Sequence, residues 1–480
     1  MAPEKAYKLR WVLGRTHPAK ETTPENTEDP QTSTMKTNVW ILIAVLALAW
    51  ANMVVSYSSE SDDDDNELTD EDLCDEGPPM DVETHKSLKC SCTTSYIVTS
   101  PDQHSYNRLF KKIDKLKACR DCSTIKRAFT DVLLIVSVET TEKCAIKLAK
   151  KGYLVEENSV QEVGAALPTL PVKLLDRIDQ VDLPRDGASY DRNDATDVTI
   201  FILDTGVLFT HDEFTNGRVS FYNDTVTPNS PIMVDVNGHG TRCASVAAGA
   251  NIGVAQGATV ESIRVAGSDG LAAADDVLAG LDDVQRWWNN NPGSKCVVSY
   301  SLISTSFSTT LNYAFGNLSA NTDCVVVVAA GNQGSDISMA NACNYSPSGS
   351  PDVITVGGSR NRMNGASDDR IGISNYGPCV DIYAPARNID LAAPSGSSNS
   401  NYLRSSGTSF ATPAVAGAAA MILSTTSLTP TGSETMTDLV LDILIATSAK
   451  DKLTSLPASN AAVLPSFNRL LNVVSNTYYA

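Results

Sequence analysis

The sequence predicts an α/β fold, a parallel β-sheet flanked by helices on both faces and preceded by a small α+β domain. Four observations predict it. Val198-Thr199-Ile200-Phe201-Ile202-Leu203 is an apolar run of the kind that forms a strand buried on both faces, the habit of parallel sheets. Similar runs at 260–265, 296–300, 324–329 and 353–356 are separated by helical patterns, and such alternation marks a sheet covered on both sides. Between the second and third strands, Leu271, Ala274, Leu278, Leu281 and Trp288 make one apolar stripe at helical spacing, which predicts a helix over 271–288. Finally, Ala414-Val415-Ala416-Gly417-Ala418-Ala419-Ala420-Met421-Ile422-Leu423 follows Ser409 with no charge until Glu434, the pattern of a helix buried all round.

The chain divides into a polar extension (1–34), a signal peptide (35–51), an acidic spacer (52–93), a small α+β domain (94–168) and the α/β domain (169–480). Residues 39–51 are apolar, with Met35-Lys36 before them and Ala49-Trp50-Ala51 at their end, the three-part pattern of a secretory signal. A membrane span needs about twenty apolar residues, so cleavage and secretion are expected, with a signal-anchored membrane protein as the alternative. The polar stretch in front leaves two readings: Met35 is the functional start, or 1–34 adds nothing to export. The net charge of −19 is concentrated, since thirteen acidic and no basic residues lie between Glu60 and Glu83. That block is a solvated spacer; it argues against nucleic-acid binding and leaves substrate charge open.

Within 94–168 the pattern reads strand (96–99), helix (102–117), strand (132–138), helix (141–150), strand (153–156), which suits a small sandwich. Eleven cysteines fit an oxidising compartment. Six lie between Cys74 and Cys144; the other five, Cys243, Cys296, Cys324, Cys343 and Cys379, are an odd number, so at least one thiol there is unpaired. Cys296 and Cys324 open neighbouring strands and could pair, leaving Cys243 as a packing group. Asn223, Asn317 and Asn344 stand in glycosylation sequons.

Ser409 lies in Gly407-Thr408-Ser409-Phe410-Ala411-Thr412-Pro413, at the start of the small-residue helix. There the helix dipole favours an oxyanion forming beside the hydroxyl; the plainer reading is a helix cap. A serine needs a base and an orienting acid to act as a nucleophile. Of five histidines, His239 stands between glycines in Asn237-Gly238-His239-Gly240-Thr241, open to a substrate. Asp204 closes the first apolar strand in Asp204-Thr205-Gly206, where α/β sheets place ligands. Asn332, in Gly331-Asn332-Gln333-Gly334 after a buried strand, offers an amide for an oxyanion or, more plainly, a turn residue.

These motifs, in the order Asp, His, Ser, resemble the three signatures of the subtilases, and their details resemble the proteinase K branch. Leu175-Asp176-Arg177-Ile178-Asp179-Gln180, Ala329-Ala330-Gly331-Asn332, Asn344-Tyr345-Ser346-Pro347 and Ser374-Asn375-Tyr376-Gly377 add to the match, which runs from about Leu175 to the C-terminus. The resemblance implies a secreted serine endopeptidase, a monomer acting on peptide and protein substrates with broad, apolar-leaning selectivity. It implies that Asp204, His239 and Ser409 are catalytic and Asn332 is the oxyanion donor. Substrate walls would be Ser301-Leu302 and Ala329-Ala330-Gly331. The domain 94–168 would be a propeptide that aids folding and inhibits its own enzyme, cut off between about 163 and 170. A structural calcium would be held by Asp381 and the carbonyls of Pro351 and Val353, and Cys343–Cys379 would be a disulfide. His211 would support the fold.

Departures from the family are few. Ile303-Ser304 replaces the usual two glycines after Ser-Leu, and a β-branched residue there narrows the pocket for the residue before the scissile bond. Phe410 replaces a methionine. Arg242 is shared with kexin-like dibasic processing proteases, but the region after Asn332 offers only Asp336 before the apolar Met339-Ala340-Asn341-Ala342-Cys343 as an acidic partner for a basic substrate. A non-catalytic peptide-binding pseudoprotease is the other alternative.

Overall fold

The structure is a computed structural model that describes residues 93–473 except 116–122, 131–132, 158–159, 164–173, 186–194, 362–366, 394–399 and 457–465. The extension, signal and spacer, Cys74, Cys90, Cys92, Cys119 and Cys122, and the cleavage window beyond Val163 lie outside the described residues.

The N-terminal part contains β1 (Thr93–Thr99), α1 (Gln103–Lys115), β2 (Thr124–Phe129), β3 (Ile135–Thr141), α2 (Glu142–Lys150) and β4 (Leu154–Glu157). The antiparallel sheet runs β2-β3-β1-β4. Alternation along the strands gives it two apolar faces. Val98, Val136 and Val138 pack with Leu109, Ile113 and Leu148 of its own helices, while Ile97, Phe129 and Ile135 join the core of the C-terminal part. Three such side chains contribute roughly 5–9 kcal/mol of burial before ordering costs. Two expectations are corrected. β3 begins at Ile135, three residues later than its apolar run suggests, and β2 was not expected at all. Its sequence, Thr-Ile-Lys-Arg-Ala-Phe, leaves most side chains exposed at a sheet edge, so it carries no buried-strand signal.

The C-terminal part contains α3 (Leu175–Ile178), β6 (Val198–Asp204), β7 (Val219–Asp224), α4 (His239–Ala248), β8 (Thr259–Arg264), β9 (Leu271–Ala273), α5 (Ala274–Asn290), β10 (Lys295–Tyr300), β11 (Leu302–Ser304), α6 (Thr309–Asn321), β12 (Cys324–Ala329), β13 (Ile354–Asn361), β14 (Asp368–Arg370), β15 (Ile382–Pro385), β16 (Ile389–Ala392), β17 (Tyr402–Ser405), α7 (Thr408–Thr425), α8 (Met436–Thr447), β18 (Ala449–Lys450) and β19 (Arg469–Leu470), with β5 (Val160–Val163) standing before them. The main sheet runs β18-β19-β15-β13-β12-β10-β6-β8-β7, with β14 on β13. From β15 to β7 its neighbours are parallel. Ile200, Ile202, Val325 and Val327 face the core that holds α4 and α7, and Phe201, Leu203, Val326 and Val328 face the core that holds α5 and α6. That two-sided burial is why these strands read as unbroken apolar runs. Helix α7 is long and apolar enough to cross a membrane, but 89% of it is buried inside the protein. Cys296–Cys324 and Cys343–Cys379 are disulfides, and Cys243 is free and buried.

The helix expected from residue 271 begins at Ala274, because Leu271–Ala273 is spent on a strand. β5 lies antiparallel between β9 and β11, with Glu162 opposite both Leu271 and Ile303, and Val163 opposite Leu302. A second tie comes from Glu156 at the end of the N-terminal sheet. Its carboxylate accepts the Thr309 amide (2.8 Å), the Thr310 amide (2.6 Å) and the Thr310 hydroxyl, so it serves donors at the start of α6 that have no partner within the helix. Hydrogen bonds to a charged group contribute about 1.5–3 kcal/mol. Glu156→Ala should therefore loosen the hold of the N-terminal sheet on α6 and lower the melting temperature, measured by calorimetry.

Candidate active site

The carboxyl ends of β6, β10 and β12 meet the N-termini of α4 and α7, the crevice where parallel sheets bind ligands. Asp204 is the last residue of β6, and its Oδ1 accepts the Thr205 amide at 2.8 Å. His239 is the first residue of α4; its Nδ1 lies 2.8 Å and 3.0 Å from the two Asp204 oxygens. With a carboxylate as partner, Nδ1 donates and Nε2 keeps its lone pair. Both side chains are buried, and among the described residues His239 Nε2 has no hydrogen-bond partner. Helix α4 sits close enough for this because residue 240 is glycine: a Cβ there would fall 2.1 Å from the Gly206 carbonyl.

Ser409 is the second residue of α7. Pro413 has no N–H, so the Ser409 carbonyl four residues earlier receives no donor from its own helix. Donors from elsewhere fill the gap: Ser301 Oγ at 3.0 Å and Cys243 Sγ at 3.4 Å. The Ser409 hydroxyl in turn donates to the Ser301 carbonyl at 3.2 Å, and the two serines clamp each other. The expected serine–imidazole bond is thus not made in this state; the hydroxyl is turned to Ser301 because that carbonyl lies at the adjacent strand end. Cys243 links the two halves, with Sγ 3.7 Å from His239 Nδ1. Burial, then the nearby Asp204 charge, push its thiol well up, so it remains an uncharged packing group. The Phe410 ring lies 5.8 Å from the imidazole.

Asn332 follows β12. Its Oδ1 accepts both the amide (3.0 Å) and the hydroxyl (3.1 Å) of Thr408, which orients Nδ2 away as a donor. Asn332 Nδ2 and the Ser409 amide flank one space, lying 3.6 Å and 3.9 Å from where a Cβ on Gly407 would be. The wall residues Ser301, Leu302, Ala329 and Ala330 are buried at these strand ends. Gly331 continues the β12 side.

Two residues that hold the site were missed. Asp235 accepts the Thr205 hydroxyl (2.9 Å), the Gly238 and Thr241 amides (2.7 and 2.9 Å) and the Thr241 hydroxyl (2.6 Å), so it fastens the start of α4 to the end of β6. An acidic residue four before His239, ahead of a helix start, was the available signal. Asn375 carries no sequence signal beyond the motif Ser374-Asn375-Tyr376-Gly377. Its Nδ2 donates to the Ala330 carbonyl at 2.8 Å and its amide to the Gly331 carbonyl at 2.9 Å, bracing that wall from behind.

His211 is buried; its Nδ1 accepts the Glu213 amide at 3.2 Å and Nε2 lies 2.8 Å from the Asn401 carbonyl, a structural role. Arg242 donates to the carbonyls of Gly238 (2.8 Å) and Asn237 (3.2 Å), and Asp336 accepts from Ser338 in its own turn. The amide of Asn223, a sequon residue, donates to Asp283 at 2.6 Å.

Among the described residues, the ligand atoms of Asp204, His239 and Cys243 lie within 4.8 Å of one another, but an ion there would draw the imidazole and carboxylate apart. Asp381 is different. Its Oδ2 accepts the Thr355 amide at 3.0 Å and its own amide donates to the Thr355 carbonyl at 3.0 Å, so it is pinned beside the segment carrying Pro351 and Val353. A carboxylate with backbone carbonyls is the all-oxygen donor set that a hard cation takes.

The profile described as "Subtilase family" matches residues 195–462. An "Extracellular serine proteinase" of Thermus sp. (strain Rt41A) is 37% identical over 300 residues, 62% of this chain and 68% of that one. "Subtilisin-like protease 1" of Pseudogymnoascus destructans is 38% identical over 234 residues, 49% of this chain, which thus spans about half (54%) of the fungal relative. A crystal structure of "a cold adapted subtilisin-like serine proteinase" superposes with a TM-score of 0.52 at 32% identity, covering 63% of this chain and 98% of that chain.

Proposed function

Since the chain belongs to the subtilase family of serine endopeptidases, we propose that it is made as a secreted zymogen and cuts peptide bonds through Asp204, His239 and Ser409. The observation that carries this reading is the imidazole held by Asp204 at Nδ1, with Nε2 unpartnered among the described residues and Cys243 touching both the imidazole and the Ser409 carbonyl. Rotation of the Ser409 side chain to another staggered position would release its hydroxyl from the Ser301 carbonyl for His239. Oγ then attacks the substrate carbonyl as His239 takes the proton. The Asn332 amide and the Ser409 N–H stabilise the oxyanion. His239 returns the proton to the leaving amine, an acyl-enzyme forms, and water, activated by the same imidazole, releases it. Asp204 stays ionised throughout and stabilises the imidazolium.

Substrate would add as a strand between β9 and β11, where β5 lies. Recognition is then mainly of the main chain, with broad, apolar-leaning side-chain selectivity. Residues 94–168 would be the propeptide, with β5 its inhibitory tail and self-cleavage between 163 and 170. Secretion is supported by relatives named as extracellular and by the signal pattern at 39–51. The engaged side chains of Arg242 and Asp336 weigh against dibasic processing. A non-catalytic peptide binder has in its favour the hydroxyl parked on Ser301. Time-dependent labelling of Ser409 by a fluorophosphonate supports the protease; a correctly folded protein that takes no label is the binder.

We also propose calcium at Asp381 with the Pro351 and Val353 carbonyls, where it would supply structural cross-linking. Binding at 100 times the dissociation constant stabilises by about 2.7 kcal/mol. Chelation should lower the melting temperature, added calcium should restore it, and Asp381→Asn should abolish the difference.

A further inference from the structure

We propose, on the reading above, that Ile303 fills the pocket for the residue preceding the scissile bond, so that the enzyme cuts after glycine, alanine or serine and rejects large side chains there. β5 fixes the register of a peptide in this groove: Val163 is opposite Leu302 and Glu162 opposite Ile303. A peptide continuing that register places its next residue opposite Ser301, whose carbonyl is 3.2 Å from the Ser409 hydroxyl. That residue therefore precedes the bond at the nucleophile.

Residues opposed across a strand pair share a face, and neighbours along a strand alternate. The partner of Ser301 thus sends its side chain to the face that Ile303 also occupies. Ile303 is itself only 7% exposed, clustered with Ala329 and Tyr345. It reaches across to the opposite wall: a Cβ on Gly331 would meet Ile303 Cδ1 at 2.6 Å. The space between the Ser301 and Ala329–Gly331 sides is therefore occupied by a branched side chain.

The plug is held. The Ser304 amide donates to the Ser346 carbonyl at 2.8 Å, and the Ser346 amide to Ser304 Oγ at 2.9 Å, so the residue after Ile303 is fastened to Ser346 through both its backbone and its side chain. Tyr345, beneath it, donates its hydroxyl to the Met339 carbonyl at 2.7 Å. The chain's own sequence accords with this, since the small residues Gly164-Ala165-Ala166 open the stretch expected to be cleaved.

The test uses mature enzyme and peptide anilides that differ only in the residue before the scissile bond: glycine, alanine, serine, leucine or phenylalanine. Wild type should show kcat/KM for alanine at least roughly 10-fold above phenylalanine, in the range a hydrophobic pocket can discriminate. Ile303→Gly should raise kcat/KM for phenylalanine and leucine relative to alanine by a similar factor. Ile303→Ala, gentler on the strand, should fall between. Wild type that cuts after phenylalanine or leucine as well as after alanine overturns the proposal, as does a variant that shifts all five substrates equally. Fluorophosphonate labelling separates the two levels. A labelled enzyme with aromatic preference refutes the plug alone, whereas a folded protein that neither labels nor cuts refutes the protease reading and the plug with it.

Discussion

Ser409→Ala protein should lose about six orders of magnitude in peptide hydrolysis, as expected when the nucleophile of an interdependent relay is removed, and should accumulate as the uncut precursor. Cys243 is the other candidate nucleophile in contact, but burial and Asp204 keep its thiol protonated, and its Sγ is turned to the Ser409 carbonyl. The fold should survive, because the hydroxyl gives up one neutral hydrogen bond to Ser301, about 0.5–1.5 kcal/mol net. N-terminal sequencing of secreted material checks both halves at once: wild type should begin within or just after residues 163–170, and the alanine variant should keep residues 94–168. A variant that still processes itself at the wild-type rate would remove Ser409 from the mechanism.

Substitutions at Asn332 should lower kcat by about 10²–10³ with little change in KM, the effect of losing one oxyanion donor. The residue has two jobs that variants can separate. Its Oδ1 receives the Thr408 amide and hydroxyl at the start of α7, and its Nδ2 faces the space shared with the Ser409 amide. Asn332→Asp keeps an acceptor for Thr408 and removes the donor, whereas Asn332→Ala removes both. Turnover should fall in both, at least as far in the aspartate variant, whose charge opposes the oxyanion. Melting temperature should fall more in the alanine variant. If the aspartate variant retains wild-type turnover, Asn332 is only a bracket for the helix.

The sheet was legible in the sequence where strands are buried on both faces. β6, β8, β10 and β12 are read within a residue or two, because two-sided burial demands an unbroken apolar run. β7, with Asn223 and Asp224 in its sequence Val-Ser-Phe-Tyr-Asn-Asp, lies at the sheet edge and carries no such demand; β2 escaped for the same reason. Leu271 looked like the first member of a helical stripe, but a short strand beside the cleft takes it. In the site, Asp204, His239, Ser409 and Asn332 stood out because polar residues among glycines next to apolar runs are unusual. Asp235 and Asn375 did not, since a carboxylate or amide that only braces backbone looks like any loop residue. Glu156 reaches Thr310 across 154 positions, a contact that no local pattern encodes. The Ser409 hydroxyl direction was illegible too, for it depends on where the Ser301 carbonyl ends up.

The proline in α7 has one more consequence. By leaving the Ser409 carbonyl without a donor from its own helix, it hands that oxygen to Ser301 and Cys243, two residues from different elements. The first coil of α7 therefore cannot unwind by itself; loosening it also strips the end of the β10 strand and the flank of α4. The chain gains stiffness by an omission, and its reactive end is anchored like a tripod where a regular helix would stand on a single leg.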